Sequence, residues 1–509
     1  MATGHGRTLR HRTSVGPLNA VRPTQQICLE LLDHSRVTRS AVDFFGSKNS
    51  ADPQAQAARL TDQFIKLNSP IFKLLQVDFH RDYNGADVLL NIESHSAVGA
   101  VPLISPLTAR YDLGLVVQPR FPWDGIGPML AEMGWLISPS PVKLPLLKRS
   151  ERRVPLWVLS FMVLTRLKAL LDRLDRRFEV ITETRSAPKG RLEWTQYATR
   201  QMPRGNFLSV PCTFPDLRDD RHLKGAIRFA VEKQLRSLET QSQQGAFVHR
   251  LIAIAESLLW RVRGVSAHRP AVGEVQAWLR RPLRSDIFDE GLQAIDWTVE
   301  ERGLAGLSDL DGIPWTMSME QFFEAWVETI IRKVAQRTGG FLKTGRKKET
   351  VSPIAWEPPY LGSQRSLVPD LILKLERVAV IVDAKYKRHW EELQEGGWSS
   401  QSDELREQHR VDLLQVLAYA NLVSASEVVC CLVYPCSFKT WESLVRRGRL
   451  FHCSELPNRG RRVRVWLTAV PMSAAAAERV ASPFSDQLRS MLSLIEHGDI
   501  EIARDENQT

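Results

Sequence analysis

The stretch from Val368 to Lys387, VPDLILKLERVAVIVDAKYK, limits the folds open to this chain more than any other segment. Two apolar runs, Leu371–Leu375 and Val378–Val382, flank the charged pair Glu376-Arg377. Short runs rich in Val, Ile and Leu are typical of buried strands, and a charged pair between them fits a tight turn. The pattern therefore predicts an antiparallel hairpin that turns at the charged pair.

The predicted hairpin places two carboxylates opposite each other. With the turn centred on the charged pair, Leu375 faces Val378 and Asp370 faces Asp383. Opposed residues of an antiparallel pair have Cβ atoms roughly 4.5–5.5 Å apart, so the two acids repel unless a cation or a shared proton compensates. Lys385 lies two residues beyond Asp383 and projects from the same strand face. We predict a divalent cation held by the two aspartates, with Lys385 beside it.

Oxygen ligands, retained waters and phosphate binding favour Mg²⁺ as that cation, with Mn²⁺ as a substitute. The alternative for the bare motif is a surface hairpin whose charges are solvated, because short acid-x-lysine strings are common.

A strong helix signature precedes the hairpin, in the sequence SMEQFFEAWVETIIRKVAQRTGG. Ser318 is the predicted N-cap, Gln321 occupies the reciprocal capping position, and Gly339-Gly340 is the predicted stop. Glu324 and Glu328 lie four residues apart and so share one face of this helix. The apolar stripe comprises Phe322, Phe323, Trp326, Ile330 and Val334.

A second helix is predicted after the hairpin, over Asp412–Ala420, and a polar acidic loop is predicted before it at Glu391–Glu407. Asp412, Gln415 and Tyr419 form one polar edge of this otherwise apolar helix. They are either site residues or ordinary cap and boundary residues. The strand SEVVCCLVYP follows, and a strand–helix–strand order is typical of a mixed sheet with flanking helices.

The chain of 509 residues carries a net charge of +10, which favours a polyanionic partner. Residues 143–204 hold 15 Lys/Arg and 6 Asp/Glu, a surplus of 15 − 6 = +9. This segment is either a phosphate-tracking surface or a solvated helix face. The longest apolar stretch, Val154–Leu164, is too short to span a bilayer, so no membrane association is predicted. Six cysteines without a disulfide pattern favour a reducing cytoplasm.

These patterns predict an α+β multidomain chain in five segments. Residues 1–75 are a tail with helices, one of them at Ile27–Leu32, and residues 76–140 are a small mainly-β module. Residues 141–305 are a basic helical middle domain that begins with a helix at Val154–Phe178. Residues 306–475 form an α/β domain with a mixed sheet flanked by helices, and 476–509 are a C-terminal helix and tail.

Pro369-Asp370 followed by Asp383-Ala384-Lys385 resembles the PD-(D/E)xK nuclease signature. The spacing Gln415-x-x-x-Tyr419 resembles a motif found in several nucleases of that superfamily. Four further stretches resemble McrC, the nuclease subunit of McrBC restriction systems: VVQPRF, KGRLEWTQYATRQ, FPDLRDDRHLKGAIRFAVEKQL and FFEAWVE. The last resembles the helix that supplies the upstream acid of that family, which maps to Glu324.

The resemblance implies a magnesium-dependent endonuclease of anti-phage defence. Asp370, Asp383 and the backbone carbonyl of Ala384 would hold Mg²⁺, with Glu324 as an additional ligand. Lys385 would orient the attacking water or neutralise the transition state. The Gln–Tyr pair of the second helix would position metal waters or the phosphate.

The same resemblance implies two partners, DNA and a hexameric AAA+ NTPase of the McrB type. The NTPase would recognise and translocate DNA, and the mainly-β module of residues 76–140 would dock on it and stimulate NTP hydrolysis. Two alternatives stay open: a metal-dependent nuclease of DNA repair or recombination, and a non-catalytic activator of a partner NTPase.

Overall fold

The structure is a computed structural model with side chains. It describes residues 10–11, 26–45, 50–134, 136–142, 144, 156–174, 177–218, 221–280, 286–300, 303–304, 312–358, 360, 362–387, 403–456, 461–473 and 477–506. The chain forms two compact units, one of residues 1–154 and 304–509 and the other of residues 155–303.

The N-terminal part of the first unit is mainly β. Its strands are β1 (Arg10–His11), β2 (Gln26–Leu32), β3 (Arg36–Ser40), β4 (Val77–Asn84), β5 (Asp87–Ser94), β6 (Ala97–Leu103), β7 (Leu113–Gln118) and β8 (Ser140–Pro141). Its helices are α1 (Ala41–Phe45), α2 (Pro53–Leu74) and α3 (Trp123–Glu132). β3, β5 and β4 form an antiparallel sheet that α2 covers.

The predicted helix at Ile27–Leu32 is wrong. These residues form β2, which pairs in parallel with β7, and β7 pairs in turn with β6. The hydrophobic pattern of six residues is too short to separate a strand from a helix, and pairing with β7 decides the conformation. The predicted mainly-β character of residues 76–140 is confirmed by β4 to β7.

The second unit is a helical cluster with a small sheet. Its helices are α4 (Leu156–Arg173), α5 (Trp194–Gln196), α6 (Arg221–Glu239), α7 (Ala246–Arg261), α8 (Val272–Leu279) and α9 (Asp286–Val299), and its strands are β9 (Arg177–Arg185), β10 (Arg191–Leu192) and β11 (Val210–Arg218). α4 packs against α6, α7 and α9. Gly291 allows close packing there, because a Cβ at this position would lie 2.6 Å from Leu170 Cδ2.

Two predictions for this region need correction. The helix predicted over Val154–Phe178 ends at Arg173, and Phe178 lies in β9. The polar segment 183–206, predicted as a loop with a short helix, does contain the short helix α5, but its residues 183–185 and 191–192 belong to β9 and β10, which form an antiparallel sheet with β11. Its charged and polar residues hide the strand pattern, because this sheet exposes many of them to solvent.

The C-terminal part of the first unit contains the predicted mixed sheet. Its strands are β12 (Gly303–Leu304), β13 (Gly312–Ile313), β14 (Trp315–Ser318), β15 (Phe341–Thr344), β16 (Ser352–Pro353), β17 (Ser366–Leu367), β18 (Leu371–Lys374), β19 (Val378–Ala384), β20 (Glu427–Cys436), β21 (Phe451–Leu456) and β22 (Arg462–Pro471). Its helices are α10 (Met319–Thr338), α11 (Asp403–Ala420), α12 (Phe438–Arg446) and α13 (Ala477–Glu506). The sheet order is β15-β18-β19-β20-β22-β21, with β19, β20 and β22 parallel.

The ends of α10 are as predicted. Ser318 caps the helix by accepting a hydrogen bond from Gln321 N at 3.2 Å, and Gly339 ends it in the left-handed conformation with φ 69°. α11 begins at Asp403, so the part of the predicted Glu391–Glu407 loop from 403 onward is helical, while residues 391–402 lie outside the described residues. Among the helices that the structure describes, none combines the length and the apolar character needed to cross a bilayer.

The predicted boundary between residues 76–140 and 306–475 does not coincide with a division in the structure. β14 pairs with β6 on one side and β8 on the other, so the chain returns after residue 303 to complete the N-terminal sheet. One residue beyond β14, a further backbone hydrogen bond joins the two parts of the chain, in which Met319 N donates to Ser96 O at 2.8 Å. A shared sheet joins the two parts into one compact unit.

Candidate metal centre

The hairpin register is confirmed. Leu371 pairs with Val382, Lys374 pairs with Ala379, and Leu375 N donates to Val378 O at 2.8 Å. β19 is central in the mixed sheet, and its residues 378–383 are buried. Burial on both faces explains the nearly unbroken apolar run that predicted the strand.

Asp370 lies just before β18 in a backbone segment that a neighbouring loop holds. Gly345 N donates to Asp370 O at 2.7 Å, and Thr350 Oγ1 donates to Pro369 O at 2.6 Å. A Cβ at position 345 would lie 2.8 Å from Pro369 O, so a side chain there would displace the segment. This loop was not predicted. The one signal for it in the sequence is Gly345, because glycine allows a close approach of two backbone segments.

The two aspartates face each other at the end of the hairpin. Oδ2 of Asp370 accepts a hydrogen bond from Ala384 N at 2.8 Å, and the side chain of Asp383 is only 2% exposed. Burial raises the pKa of Asp370 well above its usual range, and the charges of Asp383 and Glu324 raise it further. Burial also raises the pKa of Asp383, against the opposing effect of Lys385.

Lys385 connects the hairpin to α11. Its Nζ lies 2.7 Å from Asp383 Oδ2 and donates to Gln415 Oε1 at 2.9 Å. Nε2 of Gln415 then donates to the hydroxyl of Tyr419 at 2.8 Å. Burial of Lys385 lowers its pKa, but Asp383 and Asp370 more than offset this effect, so the net pKa is raised and the ammonium stays charged. The structure thus brings the predicted lysine, glutamine and tyrosine into one chain of contacts.

Glu324 lies on α10 and is half-buried. Burial raises its pKa, the charge of Arg346 lowers it, and the charges of Glu328 and Asp383 raise it. Its carboxyl is therefore electrostatically coupled to the aspartate pair. Glu328, one turn along the helix, also acts on Glu324, but its own carboxylate is paired with Arg346 and Arg332.

A second acid–lysine pair borders the first, formed by Asp412, which the sequence offered as either a site residue or a cap residue, and Lys387, which was not predicted. Nζ of Lys387 lies 2.7 Å from Asp412 Oδ1, and the hydroxyl of Tyr434 donates to Asp412 Oδ2 at 3.2 Å. The charge of Asp412 raises the pKa of both Asp383 and Lys385. The repeat K-x-K in DAKYK was the available signal, because alternate residues leave a strand on one face.

The N-terminal sheet touches the same strand end through Tyr386. Its buried hydroxyl donates to Asp33 Oδ2, and the guanidinium of Arg120 lies 4.7 Å from its ring centroid. Arg120 also donates from Nη2 to Lys387 O at 3.2 Å, and its backbone N donates to Asp33 Oδ1 at 2.6 Å. Local sequence carries no signal for the contacts that reach Tyr386 and Lys387, since they join positions more than 250 residues apart.

The residues present fit a hard divalent cation. Asp370, Asp383 and Glu324 supply carboxylate oxygens, the donors that Mg²⁺ prefers. Oδ2 of Asp383 is buried and lies 2.7 Å from the ammonium of Lys385. One ammonium beside two buried aspartates leaves excess negative charge, which a divalent cation would balance. The predicted ligand role of the Ala384 carbonyl stays a prediction.

Residues 309–435 match the model of a protein family described as McrBC 5-methylcytosine restriction system component. The range contains all seven predicted site residues, from Glu324 to Tyr419. The resemblance of this part of the chain to the McrBC family is thereby confirmed. None of the curated proteins matches the chain.

Two solved structures from Thermococcus gammatolerans are similar to the chain at low identity. The first, a refined half-complex from a tetradecameric assembly of McrB AAA+ hexamers with bound McrC, has 14% identity and a TM-score of 0.40, and the match covers 91% of this chain and 100% of that chain. The second, a cryo-EM structure of the McrBC complex, has 12% identity and a TM-score of 0.27, with coverage of 76% and 99%. TM-scores this low do not establish a common fold.

Proposed function

We propose that this chain is the DNA-cleaving subunit of a McrBC-type restriction system and acts as a magnesium-dependent endodeoxyribonuclease in anti-phage defence. One observation carries the proposal: two aspartates face each other, and Lys385 contacts both Asp383 and Gln415 of α11. All of these residues lie inside the range that matches the family. The proposal also assigns this α/β domain to the PD-(D/E)xK nucleases and the chain to the cytoplasm.

Asp370, Asp383 and Glu324 would hold the ion, with the Ala384 carbonyl as a further oxygen ligand. A bound Mg²⁺ acidifies a water ligand and stabilises negative charge on the scissile phosphate. The protein contributes a rigid strand end and a mostly buried surround, in which charges interact more strongly than they do in water. The ligands are thereby fixed before DNA arrives.

Lys385 supplies positive charge beside the carboxylates, and its raised pKa keeps it protonated at neutral pH. Gln415 accepts one of its hydrogen bonds and restricts where the ammonium can point. Tyr419 accepts a hydrogen bond from Gln415 Nε2 and fixes the amide in that orientation. Lys385 would thus be aimed at the attacking water or at the phosphate, with the other two as positioning residues.

The proposed partners are DNA and a hexameric AAA+ NTPase of the McrB type, whose NTP hydrolysis this chain would stimulate. The family match supports the NTPase, and the net charge of +10 supports contact with DNA phosphates. Sequence recognition would belong to the NTPase, while this chain contacts the backbone. The mainly-β region of residues 76–140 is the proposed docking module.

Co-expression with an AAA+ NTPase of the McrB type tests the proposal. The purified complex is incubated with methylated and unmethylated DNA, Mg²⁺ and NTP, and cleavage and NTP hydrolysis are both measured. We expect Mg²⁺-dependent cleavage that is lost with Asp383→Ala, while the variant still binds the NTPase and stimulates hydrolysis.

The outcomes separate the three functions that the sequence leaves open. Stimulated hydrolysis without cleavage by the wild-type complex would identify a non-catalytic activator. Cleavage by the purified chain without any NTPase would favour a nuclease of repair or recombination. Cleavage that persists in Asp383→Ala would refute the assignment of the centre.

A further inference from the structure

We propose that the helical unit binds a transition-metal ion, Zn²⁺ in the first instance, through His222, His268 and Glu274. The Nε2 or Nδ1 atoms of the histidines and a carboxylate oxygen of the glutamate all lie within 4.8 Å of one another. Two imidazoles and a carboxylate are a ligand set that Zn²⁺ uses in proteins. This site is independent of the proposed magnesium centre.

Three different segments supply the ligands, and each segment is held in place. His222 lies in the first turn of α6, and Glu274 lies in the first turn of α8. His268 lies in the connection between α7 and α8, where its backbone N donates to Gly225 O at 3.0 Å.

Gly225 permits the approach of the connection to α6. A Cβ at this position would lie 3.0 Å from Ser266 O and 3.3 Å from His268 Cβ, which is tighter than ordinary packing. The absence of a side chain there brings His268 beside His222, whose ring centroid is 4.6 Å away. The edge-to-face contact of Trp278 with the His222 ring, at 5.7 Å between centroids, covers one flank of the cluster.

The carboxylate of Glu274 reaches both histidines. Its Oε1 contacts His222 Nε2, and its Oε2 lies 3.9 Å from His268 Nε2. Bonds from Zn²⁺ to nitrogen and oxygen are about 2.0–2.2 Å, so ligand atoms of a tetrahedral ion lie about 3.3 Å apart. Ion binding therefore needs the most distant pair of ligand atoms to approach by about 1.5 Å at most, and His222 Nε2 and Glu274 Oε1 to move apart, both by side-chain rotation. The side chains are 54%, 47% and 30% exposed, so the ion and a water ligand have access.

A bound ion would tie α6, the α7–α8 connection and α8 together. Sequence spacing gave no sign of the site, because the ligands are separated by 46 and 6 positions and contain no short metal-binding motif. A stabilising role follows from the geometry, since the ion would bind the folded arrangement and not the unfolded chain.

Zinc binding by the full chain is the test, measured by competition with a chromogenic chelator after the protein has been stripped of metal. All proteins in this experiment also carry Asp370→Ala and Asp383→Ala, and the buffer contains millimolar Mg²⁺. Both measures prevent Zn²⁺ from binding at the proposed magnesium centre. We expect one Zn²⁺ per chain, an affinity at least tenfold weaker in His222→Ala and in His268→Ala, and a smaller loss in Glu274→Gln. His249→Ala is the matched control, because His249 is an exposed histidine on α7 of the same unit.

Thermal unfolding gives a second readout. Zn²⁺ should raise the melting temperature of the wild type and of His249→Ala, but not of His222→Ala. Circular dichroism of each variant shows that lost binding is not lost folding, and Glu274→Gln keeps the test valid if an alanine variant does not fold. Equal zinc affinity in wild type and both histidine variants, or no zinc binding by the wild type, would overturn the site and leave an ion-paired cluster.

Discussion

Two groups of buried acids lie on neighbouring elements of the mixed-sheet domain, and their charges are compensated differently. Glu328 is 2% exposed and meets two guanidinium groups, with Arg346 Nη2 at 2.8 Å from its Oε2 and Arg332 at its Oε1. Asp370 and Asp383 instead share the single ammonium group of Lys385. Burial raises the pKa of both aspartates.

The difference lies in how completely each buried charge is balanced. A buried carboxylate with two arginine partners is balanced and helps to fix the loop of Arg346 against α10. A buried pair with one partner is left with excess negative charge, which weakens the fold unless a proton or a cation is added. Because the aspartates have fewer positive partners than Glu328, we infer that the aspartates, and not Glu328, are the metal ligands.

The largest expected effect is the loss of DNA cleavage when one aspartate of the Asp370–Asp383 pair is replaced. Asp383→Ala in the NTPase complex should reduce cleavage by at least about 100-fold, because a ligand of the ion is lost. Its stability in metal-free buffer should equal or exceed that of the wild type, because the repulsion with Asp370 is removed. The control Asp486→Ala changes a 66% exposed aspartate and should stay within about twofold in cleavage. Large destabilisation by Asp383→Ala without metal would contradict the comparison.

Replacing Glu328, whose charge is balanced by two arginines, is expected to change the stability of the fold. Glu328→Gln should lower the free energy of unfolding by about 2–3 kcal/mol in urea denaturation, near the lower end for a broken buried pair because both arginines are partly exposed. Glu442→Gln is the matched control, since its pair with Arg479 is exposed and should contribute less than about 1 kcal/mol. Cleavage per folded molecule should change little in either variant. A Glu328→Gln protein as stable as the control would show that the arginine pairs contribute nothing.

The pH dependence of stability tests whether the buried Asp370 carboxyl is destabilising when it is ionised. A carboxyl whose folded-state pKa is raised destabilises the fold when ionised, and this penalty disappears as pH falls through the folded pKa toward the ordinary value. In chelator, the wild type should therefore gain stability relative to Asp370→Asn as pH falls, by at most about 1.4 kcal/mol per pH unit for each proton. Denaturation curves across pH measure this slope. Added Mg²⁺ should restore stability at high pH, and identical slopes in both proteins would contradict the raised pKa.

The smallest effect is expected where the N-terminal sheet touches the end of β19. Tyr386→Phe removes the hydroxyl that donates to Asp33 and should lower the cleavage rate by about fivefold, equivalent to about 1 kcal/mol. The reason is that Lys385 is the preceding residue and depends on the same strand end for its position. The control Tyr83→Phe alters an exposed tyrosine of β4 and should have no effect. A rate for Tyr386→Phe equal to that of the control would show that this contact is not needed for catalysis.

Much of the mixed-sheet domain could be predicted from local sequence. The hairpin register follows from two apolar runs around Glu376-Arg377, and the ends of α10 follow from Ser318 and Gly339. These features depend on interactions between residues close in sequence. The apolar run of β19 also reports its central place in the sheet.

Other features depend on distant partners, which a single sequence does not display. β2 is a strand because β7 lies beside it, and its own seven residues are equally compatible with a helix. The contact of Asp33 with Tyr386 and the pairing of β14 with β6 join residues separated by hundreds of positions. The exposed sheet of β9 to β11 was missed because its polar residues carry little hydrophobic alternation.

Calorimetric titration of the metal-stripped full chain with Mn²⁺ tests the central claim without DNA or the NTPase. The wild type should bind Mn²⁺ at the aspartate pair, and Asp370→Asn/Asp383→Asn should lose that binding while Glu328→Gln retains it. Equal binding by the wild type and the double variant would contradict the assignment of this buried pair as a metal centre.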